Sequence, residues 1–582
     1  MHITLRLKKD NNMNKRTLVE KLIGQMSIEQ KVGQCLVIGF TGTVITPKII
    51  ERIKRYCPAG IRTGLTFRMK SAYHDPYATS EKCAYRVLRE PTGMVKDILP
   101  GMPVPVCTNS EYCRFLNTMK KAALSNDLGI PLHMTFDMGG DTSTDYFHGG
   151  IRFFPSAMGI ARSGNPKLAY DVAWSIARQV VPLGYNWIHS PVLDVNTNPL
   201  NPEVGTRSYG ENANDVIIFA MEAMKGLRDG GLITTGKHFP GRGESVSDAH
   251  HGLPTIDLSR KDMEKHLAPF KALIDSGLPA IMSAHSAYPA LDPSGLPASL
   301  SKVIVTDILK GEMNFNGAVT TDDITMGGIV ENFEALEACI RALNAGNDLI
   351  LFRDESTLID EVYPLLVNAV KSGVIKESRL DDAISRTLSV KYDNGLFGGA
   401  KGVMAEEDAN KGIIDEKVKS IARESAAKTI HIIRDEAKIL PVGKDKKILL
   451  IEQINPLHKM TNSQECHPGI LWEKMLEYSD NVAMVEVNTD FTEDDKRRIM
   501  RRLDEADIIV TTNYYYRRGT GNNDFIRELH RKCTKPIVVI TNSPYPMSVS
   551  DEYKTVIVTY GVSPESISEA AKTIFGKKES KV

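Results

Sequence analysis

The chain has 582 residues, which exceeds the size of one ordinary domain and predicts at least two. Hydrophobic residues make up 42% and charged residues 25%, as in folded globular proteins, and 72 basic residues balance 72 acidic ones. This balance argues against nucleic acid or an anionic membrane as a partner.

The N-terminus is basic but is not followed by an apolar signal core, and no apolar run approaches the length of a membrane-spanning helix. The eight cysteines are scattered without a C-x-x-C pair, so neither a zinc site nor a disulfide framework is predicted. We therefore expect a cytoplasmic protein whose thiols are reduced.

Short apolar runs alternate with helical patterns through the first two thirds of the chain. Ser27 and Gln30 have the spacing of a capping box, which predicts a helix leading into the first run. Strands that alternate with helices imply parallel β-α-β units, and about eight of them favour a TIM-like (β/α)8 barrel, although periodicity alone does not distinguish it from an open doubly wound sheet. The predicted strands cover residues 35–40, 58–65, 131–136, 186–192, 232–236, 279–283, 317–321 and 348–352.

Residues 66–110 interrupt this alternation. The stretch is rich in Tyr, Arg, Pro and Met and follows the second predicted strand. On a barrel, such an insertion would lie on the active-site face.

Helical patterning ends near Tyr392, and the glycine-rich segment after it predicts a linker. A second alternation of strands and helices then indicates a smaller, doubly wound α/β sandwich. We therefore predict a barrel domain at residues 1–392, a linker at 393–415 and the sandwich domain at 416–582. The strands predicted for the second domain cover residues 429–433, 447–451, 482–487, 507–511, 536–540 and 555–559.

The densest chemical signal is the run Lys-His-Phe-Pro-Gly-Arg-Gly at residues 237–243, followed by Asp248 and His250. Lys237 and His238 end a predicted barrel strand, where side chains can face a substrate. An Asp two residues before a His in a loop can fix the tautomer of the imidazole and hold its proton ready for transfer. Any one of these residues alone fits an ordinary surface loop, but the whole run favours a catalytic site.

A second signal is the run Ala-Val-Thr-Thr-Asp-Asp at residues 318–323, followed by Met326-Gly327-Gly328. A β-branched strand that ends in paired carboxylates places at least one of them at the barrel mouth, where it can attack an anomeric carbon. The commoner use of an Asp after a strand is a helix N-cap. We expect Asp323 to fill that capping role and Asp322 to carry the chemistry.

In combination these motifs resemble glycoside hydrolase family 3, and within it the β-N-acetylhexosaminidase-like branch. The resemblance runs from about Ser27 to Lys391 and continues more weakly through the second domain. Besides the two runs above, it is carried by Met-Ser-Ile-Glu-Gln-Lys-Val-Gly-Gln at 26–34, Pro-Val-Leu-Asp-Val-Asn at 191–196, Arg-Ser-Tyr-Gly-Glu at 207–211 and Ser-Ala-His at 283–285.

The resemblance implies a role for each matching residue. Asp322 matches the nucleophile, and His250 with Asp248 matches the acid/base pair that this branch uses. Four residues match ligands of the sugar, and Asp194 matches a supporting position behind them. The four sugar ligands are Asp137, Arg207, Lys237 and His238.

The sequence departs from the branch at two positions. Asp137 is followed by Met-Gly-Gly-Asp and not by the usual Gln-Glu-Gly-Gly-Arg, so no arginine stands at the matching position. Arg242 stands where the branch usually has His, which we interpret as a change in loop structure.

The resemblance thus implies a retaining exo-β-glycosidase that acts on a small carbohydrate substrate, with N-acetylglucosamine as the expected terminal sugar. No metal or organic cofactor is implied, because side chains fill every role. A phosphorylase or β-glucosidase of the same family stays open, as does a non-catalytic sugar-binding protein, although pure binding needs no nucleophile. The sequence leaves the oligomeric state unknown.

Overall fold

The computed structural model describes residues 14–42, 45–64, 108–141, 143–145, 149–353, 355–398, 402–455, 467–515 and 522–577. The predicted insertion at residues 66–110 lies outside the described residues except for residues 108–110, which open a barrel helix.

Eight parallel strands close into a barrel in sequence order, which confirms the predicted fold class and excludes an open sheet. Closure is made by β8, which pairs with β1 through Ile350 and Leu351. Each of the eight predicted strands overlaps one observed strand. The barrel strands are β1 Leu36–Thr41, β2 Gly60–Gly64, β3 His133–Phe136, β4 Trp187–Ile188, β5 Ile233–Phe239, β6 Ala280–Ser283, β7 Ala318–Asp323 and β8 Leu349–Leu351.

Helices alternate with these strands, and their apolar residues share the same core clusters as the strands. The predicted capping box is present at the second of them, because Ser27 accepts from the backbone N–H of Gln30 while the Gln30 side chain accepts from the N–H of Ser27. The helices are Lys15–Gln25, Ile28–Gln34, Pro47–Tyr56, Asn109–Leu124, Ala157–Arg162, Pro166–Val180, Ala213–Asp229, Arg260–Asp275, Gly327–Val330, Ala335–Ala345, Leu358–Lys371 and Glu377–Asp393, with a π-helix at Val303–Glu312.

A six-stranded sheet follows in the order β11-β10-β12-β13-β14-β9. Five strands are parallel, and β9 joins the edge antiparallel to β14. The strands are β9 His431–Asp435, β10 Ile448–Gln453, β11 Val482–Val487, β12 Ile508–Thr512, β13 Ile537–Thr541 and β14 Thr555–Val558, and the helices of this part are Glu416–Thr429, Ile470–Leu476, Glu493–Met500, Asn523–Lys532 and Pro564–Ile574.

The segment between the barrel and this sheet packs on the barrel helix Asn109–Leu124. The side chain of Asn117 exchanges two hydrogen bonds with the backbone of Met404, and Lys120 donates to the carbonyl of Gly402. The exact limits of the two domains stay a prediction. In the described part of the chain, no helix has the length and apolar character needed to cross a membrane.

Candidate active site

Asp322 lies at the C-terminal end of β7, where its side chain is 15% exposed. Its Oδ1 accepts from the backbone N–H of Asp323 at 2.8 Å, and Nη1 of Arg242 lies 3.4 Å from its Oδ2. Burial raises the pKa of Asp322, but the charges of Arg242, His285 and Lys237 and the N–H bond lower it below its usual value. The carboxylate is therefore ionised, which is the form that can act as a nucleophile.

The neighbouring carboxylate of Asp323 turns into the protein and organises the backbone. It is buried, and its Oδ1 accepts from the N–H and hydroxyl of Thr325 and from the N–H of Arg353. The N-cap of the short helix Gly327–Val330 is Met326, so Asp323 closes the turn before that helix and does not cap the helix itself.

Asp248 and His250 lie in the loop that follows β5. Oδ1 of Asp248 accepts from the backbone N–H of His250 at 2.8 Å and lies 2.5 Å from the ring Nδ1. This contact places the Nδ1 proton on the side facing Asp248, so proton exchange with a substrate would go through Nε2. The loop is tied to the end of β7, because the N–H groups of Gly327 and Gly328 donate to the carbonyls of His250 and Ala249.

His238 is the second-to-last residue of β5, the strand that precedes this loop, and its ring points toward Asp322. Its Nδ1 lies 2.7 Å from Oδ2 of the fully buried Asp194, and its Nε2 lies 3.9 Å from Oδ2 of Asp322. Asp194 also accepts from the backbone N–H groups of His238 and Arg242. Asp194 therefore lies behind His238 and orients the imidazole, which faces the site.

Asp137 follows β3, and its carboxylate forms ion pairs with two cationic side chains. Lys237 donates to its Oδ1, and Nη2 of the buried Arg62 lies 2.8 Å from its Oδ2. Burial raises the pKa of Asp137, but Lys237, Arg62 and His189 hold it well below its usual range. With 30% of its side chain exposed, this ionised carboxylate can accept hydrogen bonds from sugar hydroxyls.

Arg207 lies on a short 3-10 turn, Gly205–Arg207, and its Nη1 donates to the carbonyl of Glu203 at 3.2 Å. Burial lowers the pKa of Lys237 below its usual value, and the charge of Arg207 lowers it further. The carboxylate of Asp137 opposes both effects. The structure thus places all seven predicted site residues on segments at the carboxyl end of the barrel strands, the face on which TIM barrels carry their active sites.

The sequence matches known proteins over this same region. Residues 105–390 match the glycosyl hydrolase family 3 N-terminal domain. This part of the chain is a glycoside hydrolase family 3 N-terminal domain.

Two curated relatives and one solved structure illustrate the likeness. The beta-N-acetylglucosaminidase/beta-glucosidase of Cellulomonas fimi is 29% identical over 50% of this chain and 52% of its own length. The beta-hexosaminidase A of Pseudoalteromonas piscicida is 30% identical over 49% of this chain and 51% of its own length. The family 3 beta-N-acetylglucosaminidase of Paenibacillus sp. strain FPU-7 is 25% identical with a TM-score of 0.81, covering 95% of this chain and 97% of that one. The chain spans about half the length of the curated relatives it matches.

Arg242, which we interpreted from the sequence as a change in loop structure, lies in the site itself. Its side chain is 1% exposed and reaches both Asp322 and the carboxylate of Glu203, whose Oε1 is 2.7 Å from Nη2. Burial lowers the pKa of Arg242, but Glu203, Asp322 and Asp194 raise it above its usual value. The sequence indicated only a change in loop structure, because it does not show that the guanidinium points into the site.

Sequence reasoning also missed Arg62, Asp145 and Glu203. Arg62 bridges Asp137 and Asp145, and Asp145 accepts from the backbone N–H of Asp137. One signal was present in the sequence, since an arginine inside the strand Gly-Ile-Arg-Thr-Gly must find an anion if it faces the barrel interior. Nothing comparable marks Glu203, which lies in a loop with many polar residues.

One group of described residues has the spacing of a cation site, namely Glu203, Asp248 and His250, whose ligand atoms lie within 4.8 Å of one another. Their contacts already serve other partners, since Glu203 pairs with Arg242 and Asp248 binds the His250 ring. A guanidinium this close repels a metal ion, so these residues do not fit a metal site.

Proposed function

We propose that the chain is a retaining exo-β-glycosidase that hydrolyses terminal β-linked sugars, with Asp322 as nucleophile and His250 as acid/base. The observation that carries the proposal is the contact network at one barrel end. There an ionised Asp322 and an Asp248–His250 pair are joined through Arg242 and Glu203. A site that only binds sugar has no need of a buried histidine-carboxylate pair beside a second carboxylate.

In the first step Asp322 attacks the anomeric carbon, and the bond from that carbon to the leaving oxygen breaks. Nε2 of His250 gives its proton to the departing oxygen, while Asp248 holds Nδ1. In the second step Nε2 removes a proton from water, which attacks the anomeric carbon and releases Asp322 as a carboxylate. Two displacements at one carbon retain its configuration.

The sugar we propose is N-acetylglucosamine, which the names of the similar proteins from Cellulomonas fimi and Paenibacillus sp. contain. Asp137, Lys237, His238 and Arg207 supply charged and polar groups for its hydroxyls. A β-glucosidase is the second candidate, because the loop after Asp137 has Met-Gly-Gly-Asp, and Asp141 in that loop turns toward the second domain.

We also propose a reducing, cytoplasmic setting, since the cysteines 35, 57, 113, 339 and 533 are free thiols.

A panel of aryl β-glycosides tests the sugar and the stereochemistry together. We expect 4-nitrophenyl N-acetyl-β-glucosaminide to be cleaved with the highest kcat/KM and the corresponding β-glucoside more slowly. Proton NMR of the first-formed sugar should show the β-anomer. A preference for the glucoside would favour the second candidate, and a first-formed α-anomer would contradict the retaining mechanism.

A further inference from the structure

Glu203, a buried carboxylate outside the predicted catalytic set, touches both halves of the site. Its Oε1 lies 2.7 Å from Nη2 of Arg242 and 3.4 Å from Nδ1 of His250, and its side chain is 1% exposed. Asn201 fixes this arrangement, because its Oδ1 accepts from the N–H of Glu203 at 3.0 Å and its Nδ2 donates to the carbonyl of Arg242 at 2.9 Å. Glu203 is therefore held between the acid/base group and the cation next to the nucleophile.

The charge around Arg242 changes in the course of the proposed reaction. In the free enzyme its guanidinium is paired with both Glu203 and Asp322. Once Asp322 carries the sugar as an ester, it is neutral and no longer balances Arg242. Glu203 then remains as the carboxylate in direct contact with the guanidinium, at the moment when an acceptor enters beside His250.

A cation left without that carboxylate would attract an anionic acceptor. Inorganic phosphate is the relevant one, because it needs no general base, and the histidine is neutral at this stage and does not repel it. Glu203 disfavours phosphate binding in two ways. It neutralises the charge of Arg242, and together with Asp248 it places two carboxylates beside the imidazole.

We propose that Glu203 determines the acceptor of the second step, making the glycosyl-enzyme selective for water over inorganic phosphate. The inference rests on the proposed glycosidase function and specifies its outcome. With water, the oxygen bonds to the anomeric carbon, the bond to Asp322 breaks, and His250 takes the proton. With phosphate, one of its oxygens bonds to the same carbon, Asp322 leaves as a carboxylate, and the product is a sugar 1-phosphate.

The test compares products of the full-length wild type and of two variants, Glu203→Gln and Glu203→Asp. Each is incubated with an activated aryl β-glycoside and a fixed millimolar concentration of inorganic phosphate, with ionic strength held by chloride. Phosphorus NMR measures sugar 1-phosphate, and chromatography measures free sugar. We expect mainly free sugar from the wild type. In Glu203→Gln the ratio of sugar 1-phosphate to free sugar should rise on the order of tenfold or more, because one buried charge is removed. In Glu203→Asp, which keeps the charge, the ratio should stay near the wild-type value.

An unchanged ratio in Glu203→Gln, or a rise of equal size in Glu203→Asp, would overturn the inference while leaving the glycosidase function intact. If Glu203→Gln does not fold, the products of the wild type decide the question. A wild type that forms mainly sugar 1-phosphate would overturn the inference, and one that forms mainly free sugar would support it. A wild type that cleaves no glycoside would overturn the proposed function, and this inference with it.

Discussion

Two adjacent carboxylates at the end of β7 differ in what surrounds them. Asp322 keeps part of its side chain exposed beside Arg242, whereas Asp323 is buried among hydrogen-bond donors of the backbone and of Thr325. Their surroundings therefore suit the two carboxylates to different roles, Asp322 to that of the proposed nucleophile and Asp323 to that of a support for the backbone, although the sequence presents them as a pair.

Replacing each of the two residues by Asn should separate these roles. Asp322→Asn should lower kcat by on the order of a thousandfold or more at unchanged stability, because the amide cannot form the intermediate. Asp323→Asn should cost far less activity but about 1–3 kcal/mol of unfolding free energy, since it disturbs buried hydrogen bonds. Steady-state kinetics and chemical denaturation measure both effects, and near-normal turnover by Asp322→Asn would remove it from the nucleophile role.

His250 should matter most when the leaving group needs a proton. His250→Ala should abolish most activity on natural glycosides, but a dinitrophenyl glycoside should still form the intermediate on Asp322. Azide needs no general base and should restore turnover of that substrate. Asp248→Asn should show the same pattern more mildly, because it weakens only the support of the imidazole. A loss of equal size for all leaving groups, without azide rescue, would mean that His250 merely binds the sugar.

Sequence reasoning found the residues that carry the proposed chemistry because they occur in compact, unusual runs. It did not find Glu203 or the inward turn of Arg242, because these depend on a contact between two separate loops, one after β4 and one after β5. Polar residues in loops are common, and only the three-dimensional approach distinguishes a buried ion pair from two solvated charges.

At the scale of elements, the loop that carries Asp248 and His250 is held by the segment that follows β7. An added Cβ at Gly328 would lie 2.9 Å from the carbonyl oxygen of Gly252 and 3.2 Å from that of Ala249. The loop can therefore approach the segment after β7 this closely only because position 328 has no side chain.

Gly328→Ala should push the loop with His250 away from Asp322. We expect kcat/KM to fall by on the order of ten- to a hundredfold, because catalytic groups tolerate little displacement. Gly24→Ala is the matched control, since it lies in the helix Lys15–Gln25 with nothing within 4 Å of the added Cβ, and it should leave kinetics unchanged. Equal kinetics of the two variants would show that the loop does not depend on this contact.

The strands of both sheets followed from their apolar runs, because parallel strands buried on both faces have a strong sequence signal. The antiparallel direction of β9 could not be predicted, since it depends on where the chain enters the sheet and not on the local sequence pattern. The predicted insertion lies mostly outside the described residues, so its place on the active-site face stays a prediction.

At the scale of the whole molecule, the second domain contacts two loops of the barrel site. Nδ2 of Asn542 donates to Oδ2 of Asp141 at 2.8 Å, and the N–H of Val562 donates to Oδ1 of the same residue. The hydroxyl of Tyr515 donates to the carbonyl of Pro202, next to Glu203. The second domain therefore supports the loops that carry Asp137 and Glu203, in addition to packing beside the barrel rim.

Asn542→Ala should weaken substrate binding although the residue lies outside the barrel. We expect a severalfold rise in KM and a loss of about 1–3 kcal/mol of unfolding free energy, since a buried carboxylate loses a donor. Asn481→Ala is the control, because its amide donates to the carbonyl of Lys444 at an exposed position of the same domain. If Asn542→Ala changed stability but not KM, the second domain would contribute packing alone.

The central claim is that Asp322 forms a covalent bond with the sugar, and mass spectrometry of a trapped intermediate tests it most directly. A 5-fluoro analogue of an activated N-acetyl-β-glucosaminide slows both steps, and its good leaving group lets the intermediate accumulate. We predict that the intact protein gains the mass of one fluorosugar, that the gain maps to the peptide containing Asp322, and that Asp322→Asn shows none. Adduct on a different carboxylate, or steady turnover of the analogue without any adduct, would contradict the account.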